Sequence, residues 1–263
     1  MSISKIGYLK WNWFYRLYER KLELQIKKEP FPNHIAIILD GNRRWAKYRL
    51  WGNMEGHDMG ADKAEELLNW IYDLRIKITT LFVLSNDNLG RQEHEIDNIY
   101  SLLEQKLDKL YRDSRIHERR MKIKAIGSSE TLPSSLKQIL SNLENSTSNY
   151  DSMFLNIAIA YGGQQELVDA IKKVSGMVKQ GKIDVSDIDE RLIESCLYTS
   201  HLPQSEPDLI LRTSGEKRLS GFLMWQSAYS ELVFMDVFWP EFRKIDLMRA
   251  IRTYQSRLRR YGR

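Results

Sequence analysis

Apolar residues follow two alternating spacings along the chain. Short runs rich in β-branched side chains fall at Ile35 to Leu39, Ile78 to Leu84, Met121 to Ile126, Phe154 to Ala160, Leu209 to Leu211 and, more weakly, Leu232 to Phe234. Each has the length of one strand, and the unbroken apolar character of Ile35 to Leu39 marks an interior strand. Between them apolar residues recur every three or four positions: Ala64, Leu67, Leu68, Ile71 and Leu74, then Ile96, Ile99, Leu103, Leu107 and Leu110. A third stripe, Leu136, Ile139, Leu140 and Leu143, is opened by Pro133, and a fourth comprises Leu167, Val168, Ile171, Val174 and Val178. These spacings put the apolar side chains on one face of a helix. The alternation predicts an α/β fold, a central, mostly parallel sheet of about six strands flanked by helices. The Ser/Asn-rich stretch Asn142 to Ser152 reads as a loop, and no internal repeat is present.

Residues 1–31 differ in character. Trp11, Trp13, Phe14, Leu17, Tyr18, Leu22 and Ile26 are interleaved with Lys and Arg until Pro30 and Pro32 end the pattern. This predicts a basic, aromatic-rich amphipathic helix, and two readings fit it equally: a segment lying on a membrane surface, or a helix packed on the body. Residues 32–263 then form one domain, with enough of the 42% hydrophobic residues to bury a single core. No run of about 18 apolar residues occurs, and the first residues lack the apolar centre of a signal peptide, so a cytoplasmic protein is expected, with membrane contact only at the periphery. The single cysteine, Cys196, excludes an internal disulfide framework and a cysteine-based zinc site, and its apolar neighbours predict packing alone. The net charge of +5 suits anionic substrates, lipid headgroups or nucleic acid without choosing among them.

The chemistry gathers where the apolar runs stop. The first ends in Asp40-Gly-Asn-Arg-Arg44. A carboxylate at the carboxyl end of an interior strand lies at the ligand crevice of an open α/β sheet, where the glycine lets backbone amides approach a ligand. Asp40 there suits a divalent cation, and Arg43 and Arg44 beside it suit an oxygen-rich anion, with magnesium and diphosphate the best fit. A helix cap followed by solvated arginines is the plainer alternative. Three more polar clusters follow strands, Ser85-Asn-Asp-Asn88, Tyr161-Gly-Gly163 and Arg212-Thr-Ser-Gly-Glu216, and one crevice at one sheet edge would collect all four. Arg212, Arg218 and Ser220 look like a second oxyanion pocket apart from Asp40, which implies two phosphorylated substrates. No G-x-x-x-x-G-K-[ST], G-x-G-x-x-G or G-x-S-x-G occurs, so nucleotide cradles and a serine hydrolase elbow have no support.

His34 to Lys47, Gly56-His57, Asn156 to Gly163, Asp208 to Glu216 and Phe222 to Glu231 together resemble the cis-prenyltransferases, in order from about Pro32 to the C-terminus. The resemblance implies successive cis 1′-4 condensations of isopentenyl diphosphate onto an allylic diphosphate primer, farnesyl or geranylgeranyl diphosphate, to give a polyprenyl diphosphate for a glycosyl carrier lipid. Magnesium is the implied cofactor, with Asp40 its ligand. Gly41, Asn42, Arg43, Arg44 and Trp45 match the segment that grips the allylic diphosphate, while Asn42, His57, Ser85 and Asn88 match positions near the reacting carbons and Arg91 a later match. Arg212, Arg218 and Ser220 match the homoallylic diphosphate site, and Glu231 a carboxylate linked to magnesium and the dimer interface. Arg260-Tyr-Gly262 looks like an element that reaches the partner's site, so a homodimer is implied and a nucleic-acid partner is not.

The resemblance also implies a hydrophobic tunnel, walled by helices starting near Ala61 and Glu93 together with Val83 and Leu84, and floored around Leu102 to Leu110. Departures fall at Asp87 and Leu89, where relatives carry glutamate and tryptophan. Asn53 stands where many carry an arginine, which implies a weaker grip on the primer unless Arg49 substitutes.

Overall fold

The computed structural model describes residues 17–261, with side chains through Leu258. Trp11, Trp13, Phe14, the Arg260 side chain and Gly262 lie outside the described residues. Six strands form one sheet in the order β3-β4-β2-β1-β5-β6. They are β1 (His34–Ile38), β2 (Ile78–Ser85), β3 (Met121–Ile126), β4 (Met153–Tyr161), β5 (Leu209–Arg212) and β6 (Glu231–Phe234), and every pairing is parallel. All carboxyl ends therefore share one edge. β1 sits between β2 and β5, where the strand order reverses, which is the place open α/β sheets bind ligands.

Alternation along the strands builds the core on both faces. Ile35 and Ile37 join Leu209, Leu211 and Leu155 on one face, while Ala36 and Ile38 join Ile210, Phe82 and Phe222 on the other. The chain of helices is α1 (17–26), α2 (Asn42–Tyr48), α3 (Asn53–Asp73), α4 (Glu93–Tyr111), α5 (Ser114–Glu118), α6 (Ser134–Thr147), α7 (Gly163–Lys179), α8 (Glu190–Cys196) and α9 (Lys244–Tyr261). The first face is covered in part by Leu67 and Ile71 of α3, Leu136 and Leu140 of α6, and Leu247 and Ile251 of α9.

The described part of α1 packs on the body. Leu22 and Ile26 are fully buried, and Gln255 of α9 donates through Nε2 to the carbonyls of Ile26 (2.9 Å), Glu29 (3.2 Å) and Pro30 (3.1 Å). Its outer face keeps Leu17 and Leu24 exposed among Arg20, Lys21 and Lys28. Two sequence expectations need correction. Asn142 to Thr147 is helix, not loop, because Leu143 and Thr147 extend the buried face of α6 and the Thr147 hydroxyl donates back to the Leu143 carbonyl (2.9 Å). On α7 the inward residues are Ala170 and Val174, which pack with Cys196 and Leu197, whereas Val168 and Ile171 face outward.

Candidate active site

The end of β1 is held before any side chain acts. Asp40 donates its backbone N–H to Thr213 Oγ1 (3.0 Å), receives the Thr213 hydroxyl on its carbonyl (2.7 Å), and that carbonyl also accepts from Trp239 N–H (3.1 Å). Gly41 follows with φ 112°, a left-handed conformation in which an added Cβ would meet Phe238 at 2.8 Å. No side chain caps the first turn of α2, which leaves its orphan amide groups for a ligand.

Around this anchor sits an arginine cage. Arg212 directs Nη2 (2.8 Å) and Nε (3.2 Å) at Asp40 Oδ2, and its Nη1 donates to Ser220 Oγ (2.9 Å) and to the Arg218 carbonyl. Arg44 takes the other side, with Nη2 3.1 Å from Asp40 Oδ1 and 2.5 Å from Ser214 Oγ, and Nη1 2.8 Å from Glu216. Arg218 pairs with Glu216 as well and is largely exposed. Partial burial opposes the charge on Asp40, but hydrogen bonds from Arg212 and Ser214 and the two guanidinium charges outweigh it, so its pKa lies below the ordinary carboxylate value.

A second cluster lies across the crevice on β2, α3 and α4. Glu95, almost fully buried, receives Arg91 Nη1 (3.1 Å) and stands 3.6 Å from Arg43 Nε and 3.7 Å from His57 Nε2. Arg91 also donates to Asn88 Oδ1 (2.8 Å), and Asn88 N–H donates to Ser85 Oγ (3.2 Å). Burial and the Arg91 charge hold the His57 pKa below its usual value, only partly offset by Glu95, so the ring is neutral near pH 7 and its Nε2 has no hydrogen-bond partner. Asn42 Oδ1 is likewise buried without a partner, against Gly60, where a Cβ would approach it at 2.6 Å.

Both clusters open into one cavity of about 1100 Å³, larger than the usual small-molecule pocket. Asp40, Gly41, Asn42, Arg43, Arg44, His57, Ser85, Asn88, Arg91, Arg212, Arg218 and Ser220 all line it, and Ala64, Leu68, Leu84, Leu103, Leu107 and Ile157 carry it inward as an apolar channel. This apolar lining comes from α3, α4 and the β2 and β4 strands. Among the described residues no group of three or more His, Cys, Asp or Glu side chains forms a metal site. Asp40, whose carboxylate lines the cavity, nevertheless fits a hard cation of the kind that takes one protein carboxylate and completes its shell from phosphate and water.

Several expected residues fall elsewhere. Trp45 is buried behind the site, edge-on to Trp51 with ring centroids 5.3 Å apart, and does not line the cavity. Tyr161 to Gly163 also stay off the cavity: Tyr161 is fully buried, donates to Glu166 Oε2 (2.5 Å) and receives Leu223 N–H (3.2 Å), so this cluster braces the loop after β5. The Arg212 group is not a separate pocket, since Arg212 bonds Asp40 directly. Glu231 opens β6 in register with Leu209 and so with Ile35, at the opposite sheet edge, roughly 16 Å of strand from Asp40, paired with Arg257 (2.7 Å). Arg49 is engaged by Glu241 (2.6 Å), and Leu89 packs on the core and does not line the cavity. The sequence reading placed Glu216 at the crevice without its role as the partner of Arg44 and Arg218, and it missed Glu95, the carboxylate that holds Arg43 and Arg91. The Arg91 to Glu95 spacing of four residues was the available signal for Glu95.

An arginine-lined crevice at a sheet edge, bordered by apolar side chains of the same cavity, suits molecules with a diphosphate head and a hydrocarbon tail. The family model described as putative undecaprenyl diphosphate synthase matches residues 38–262, and the chain belongs to that family, the cis-prenyltransferases. It is 47% identical over 247 residues to the geranylgeranyl-diphosphate-specific tritrans,polycis-undecaprenyl-diphosphate synthase of Methanocaldococcus jannaschii, covering 94% of this chain and 88% of that one. It is 45% identical to the synthase of the same description from Picrophilus torridus, over 99% of this chain and 100% of the relative. Among solved structures it resembles lavandulyl diphosphate synthase from Lavandula x intermedia in complex with dimethylallyl diphosphate, with TM-score 0.81, 33% identity, and coverage of 86% of this chain and 95% of that one.

Proposed function

We propose that the chain extends geranylgeranyl diphosphate by successive cis 1′-4 additions of isopentenyl diphosphate, releasing a polyprenyl diphosphate of the kind that serves as a glycosyl carrier lipid. The observation that supports this most is the continuity of one cavity from the Asp40, Arg44 and Arg212 cage into the apolar channel between α3 and α4. The relatives named for geranylgeranyl diphosphate favour it as primer over farnesyl diphosphate.

In each cycle the allylic C1–O bond breaks, the electron pair leaves with diphosphate, C1 bonds to C4 of isopentenyl diphosphate, and a proton leaves C2 to an oxygen of the departing diphosphate. Arg44 and the open amides of the Gly41 turn bind the leaving group, and Arg212, Arg218 and Ser220 bind the second diphosphate. Asp40 is the residue that would hold a magnesium ion, which would supply electrostatic stabilisation of the departing charge. His57, Ser85 and Asn88 orient the reacting ends, with Glu95 fixing Arg43 and Arg91 beside them. The apolar walls exclude water from the allylic cation that develops as the bond breaks.

Labelled isopentenyl diphosphate, geranylgeranyl diphosphate and magnesium test the reading: a ladder of products with cis new double bonds is expected, and Asp40→Asn abolishes it. Trans products, or none from the folded protein, overturn it. A homodimer completed through Arg260, Gly262 and Glu231 belongs to the same reading and is checked by sedimentation. Peripheral contact with anionic lipid through Leu17, Leu24 and the cations of α1 is checked by vesicle co-sedimentation of Leu17→Ser/Leu24→Ser. No helix among the described residues is long and apolar enough to cross a membrane.

A further inference from the structure

The Phe238 ring is not part of the core. Its neighbours Met235, Val237, Trp239 and Phe242 all pack on the apolar cluster of the first sheet face, whereas Phe238 is only half-buried and joins none of the apolar clusters of the described residues. It stands instead against two parts of the arginine cage. An added Cβ on Gly41 would meet Phe238 Cδ1 at 2.8 Å and its Cα at 3.2 Å, so ring and backbone together fill the space behind the turn that opens α2. The Arg44 guanidinium carbon lies over the ring, 5.9 Å from its centroid, within reach of a cation–π contact.

The segment that carries the ring is fixed on both sides. The Val237 carbonyl accepts from Ser214 N–H (2.7 Å), and Trp239 N–H donates to the Asp40 carbonyl (3.1 Å). Trp239 is fully buried, is stacked on Phe242 with ring centroids 5.3 Å apart, and donates through its indole Nε1 to the Gly60 carbonyl (2.7 Å). Phe238 therefore has a pinned residue before it and another after it. Arg44, by contrast, is placed only by contacts of its own long side chain, 44% of which is exposed. Such a side chain loses rotamer entropy when it grips an anion, unless something has confined it beforehand. A ring face confines a guanidinium without occupying the N–H groups that a diphosphate needs.

We infer that Phe238 is a positioning residue for the primer diphosphate: it wedges the Gly41 turn so that the open amides of α2 face the cavity, and it holds the Arg44 guanidinium above that turn. The inference rests on the proposed reading that this turn and Arg44 grip the allylic diphosphate. Phe238 does not line the cavity, so it acts through these two groups and not by touching substrate.

The test is the affinity for geranylgeranyl diphosphate with magnesium, measured by calorimetry without isopentenyl diphosphate, in Phe238→Leu, Phe238→Tyr and Arg44→Ala. Leucine keeps an apolar wedge and loses the ring face, so Kd is expected to rise roughly 2- to 5-fold, and tyrosine, which keeps the face, restores it. In the Arg44→Ala background Phe238→Leu changes Kd by less than about 1.5-fold, because the guanidinium it positions is gone. KM for isopentenyl diphosphate at saturating primer stays within about twofold in both Phe238 variants, since Arg212, Arg218 and Ser220 are untouched. Should Phe238→Leu fail to fold, Phe238→Met makes the same comparison. A lower Tm with Kd unchanged, an equal rise in Kd with and without Arg44, or no recovery in Phe238→Tyr overturns the inference. Primer binding with the expected dependence but no product on adding isopentenyl diphosphate overturns the condensing function instead and leaves the positioning role standing.

Discussion

Arg212 Nη2 lies 2.8 Å from Asp40 Oδ2, and the β1–β5 register that pairs Ile38 with Arg212 places the two side chains at adjacent strand ends. The carboxylate assigned to a cation is therefore already balanced by guanidinium groups before substrate arrives, with Arg44 on its second oxygen. A diphosphate carries more negative charge than one carboxylate, so on the proposed reading its arrival is expected to draw these arginines toward phosphate and free Asp40 for a cation. On that reading the two substrate sites are therefore expected to be coupled through the Arg212–Asp40 bridge.

That coupling makes Arg212→Lys far from conservative, because lysine keeps the charge but loses the fork that contacts Asp40 and Ser220 together. A lost charge-assisted hydrogen bond of about 1.5–3 kcal/mol corresponds to a fall of roughly 10- to 150-fold in kcat/KM for isopentenyl diphosphate. Steady-state kinetics with saturating primer measure it, and a loss below twofold would contradict the shared bridge.

A buried and a half-buried histidine predict an acid limit to stability. His34, its Nε2 2.8 Å from Thr80 Oγ1, is pushed down to about 4 by burial, with carbonyls of Glu206 and Gln204 opposing weakly. His201 Nε2 lies 2.8 Å from the side-chain oxygen of Asn156, and burial together with the Lys124 charge pushes it to about 4 as well. In the unfolded chain both return to near 6.5, so between pH 6.5 and 4 the unfolded state binds more protons. Stability then falls as pH drops through that window and is unaffected by these groups above it. Each contributes a slope of at most about 1.4 kcal/mol per pH unit. Urea unfolding at a series of pH values reads the slope, and His201→Gln, which keeps a donor for Asn156, removes the part due to His201.

Leu50 ends α2 in a conformation that disfavours leucine. Its φ is 59°, its side chain is 94% exposed, and Trp51 N–H reaches back to the Ala46 carbonyl (2.8 Å) in the pattern of a left-handed helix cap. Glycine takes that position without the cost of about 1 kcal/mol that an L side chain carries, and nothing buried is lost. Leu50→Gly is expected to raise Tm by a few degrees at unchanged activity, read by calorimetry, and a lower Tm would show that Leu50 makes a stabilising contact.

The strands and the Asp40 site were legible because continuous apolar runs and an abrupt carboxylate leave few alternatives. Met121 to Ile126 coincides with β3. What escaped depended on partners distant in sequence. Trp45 carries no mark distinguishing a core tryptophan from a substrate contact, and only its packing on Trp51 decides. Val168 and Ile171 share helical spacing with the inward residues of α7, yet α8 covers Ala170 and Val174 instead. The last helix, α9, hides its buried face of Leu247, Met248, Ile251 and Tyr254 among charges, and Gln255 binds carbonyls more than 220 positions away. The Ser/Asn composition of 142–147 suggested a loop because those side chains compete with backbone bonding, a competition that the burial of Leu143 settled.

Asn53 lines the cavity at the start of α3, where many relatives place an arginine, and Arg49 does not compensate, since Glu241 holds its guanidinium at 2.6 Å and it sits over the Trp45 ring. On the proposed reading the primer diphosphate lacks one charge-assisted contact that a longer cationic side chain from position 53 would make. Asn53→Arg is expected to lower KM for the allylic diphosphate by roughly tenfold, the equivalent of about 1.4 kcal/mol, with kcat unchanged because the added contact binds substrate and transition state alike. Arg49→Ala, by contrast, leaves KM for the primer unaltered and lowers Tm through loss of the Glu241 pair. A KM that rises in Arg49→Ala would return the role to Arg49, and one unaffected in Asn53→Arg would place the primer diphosphate away from the start of α3.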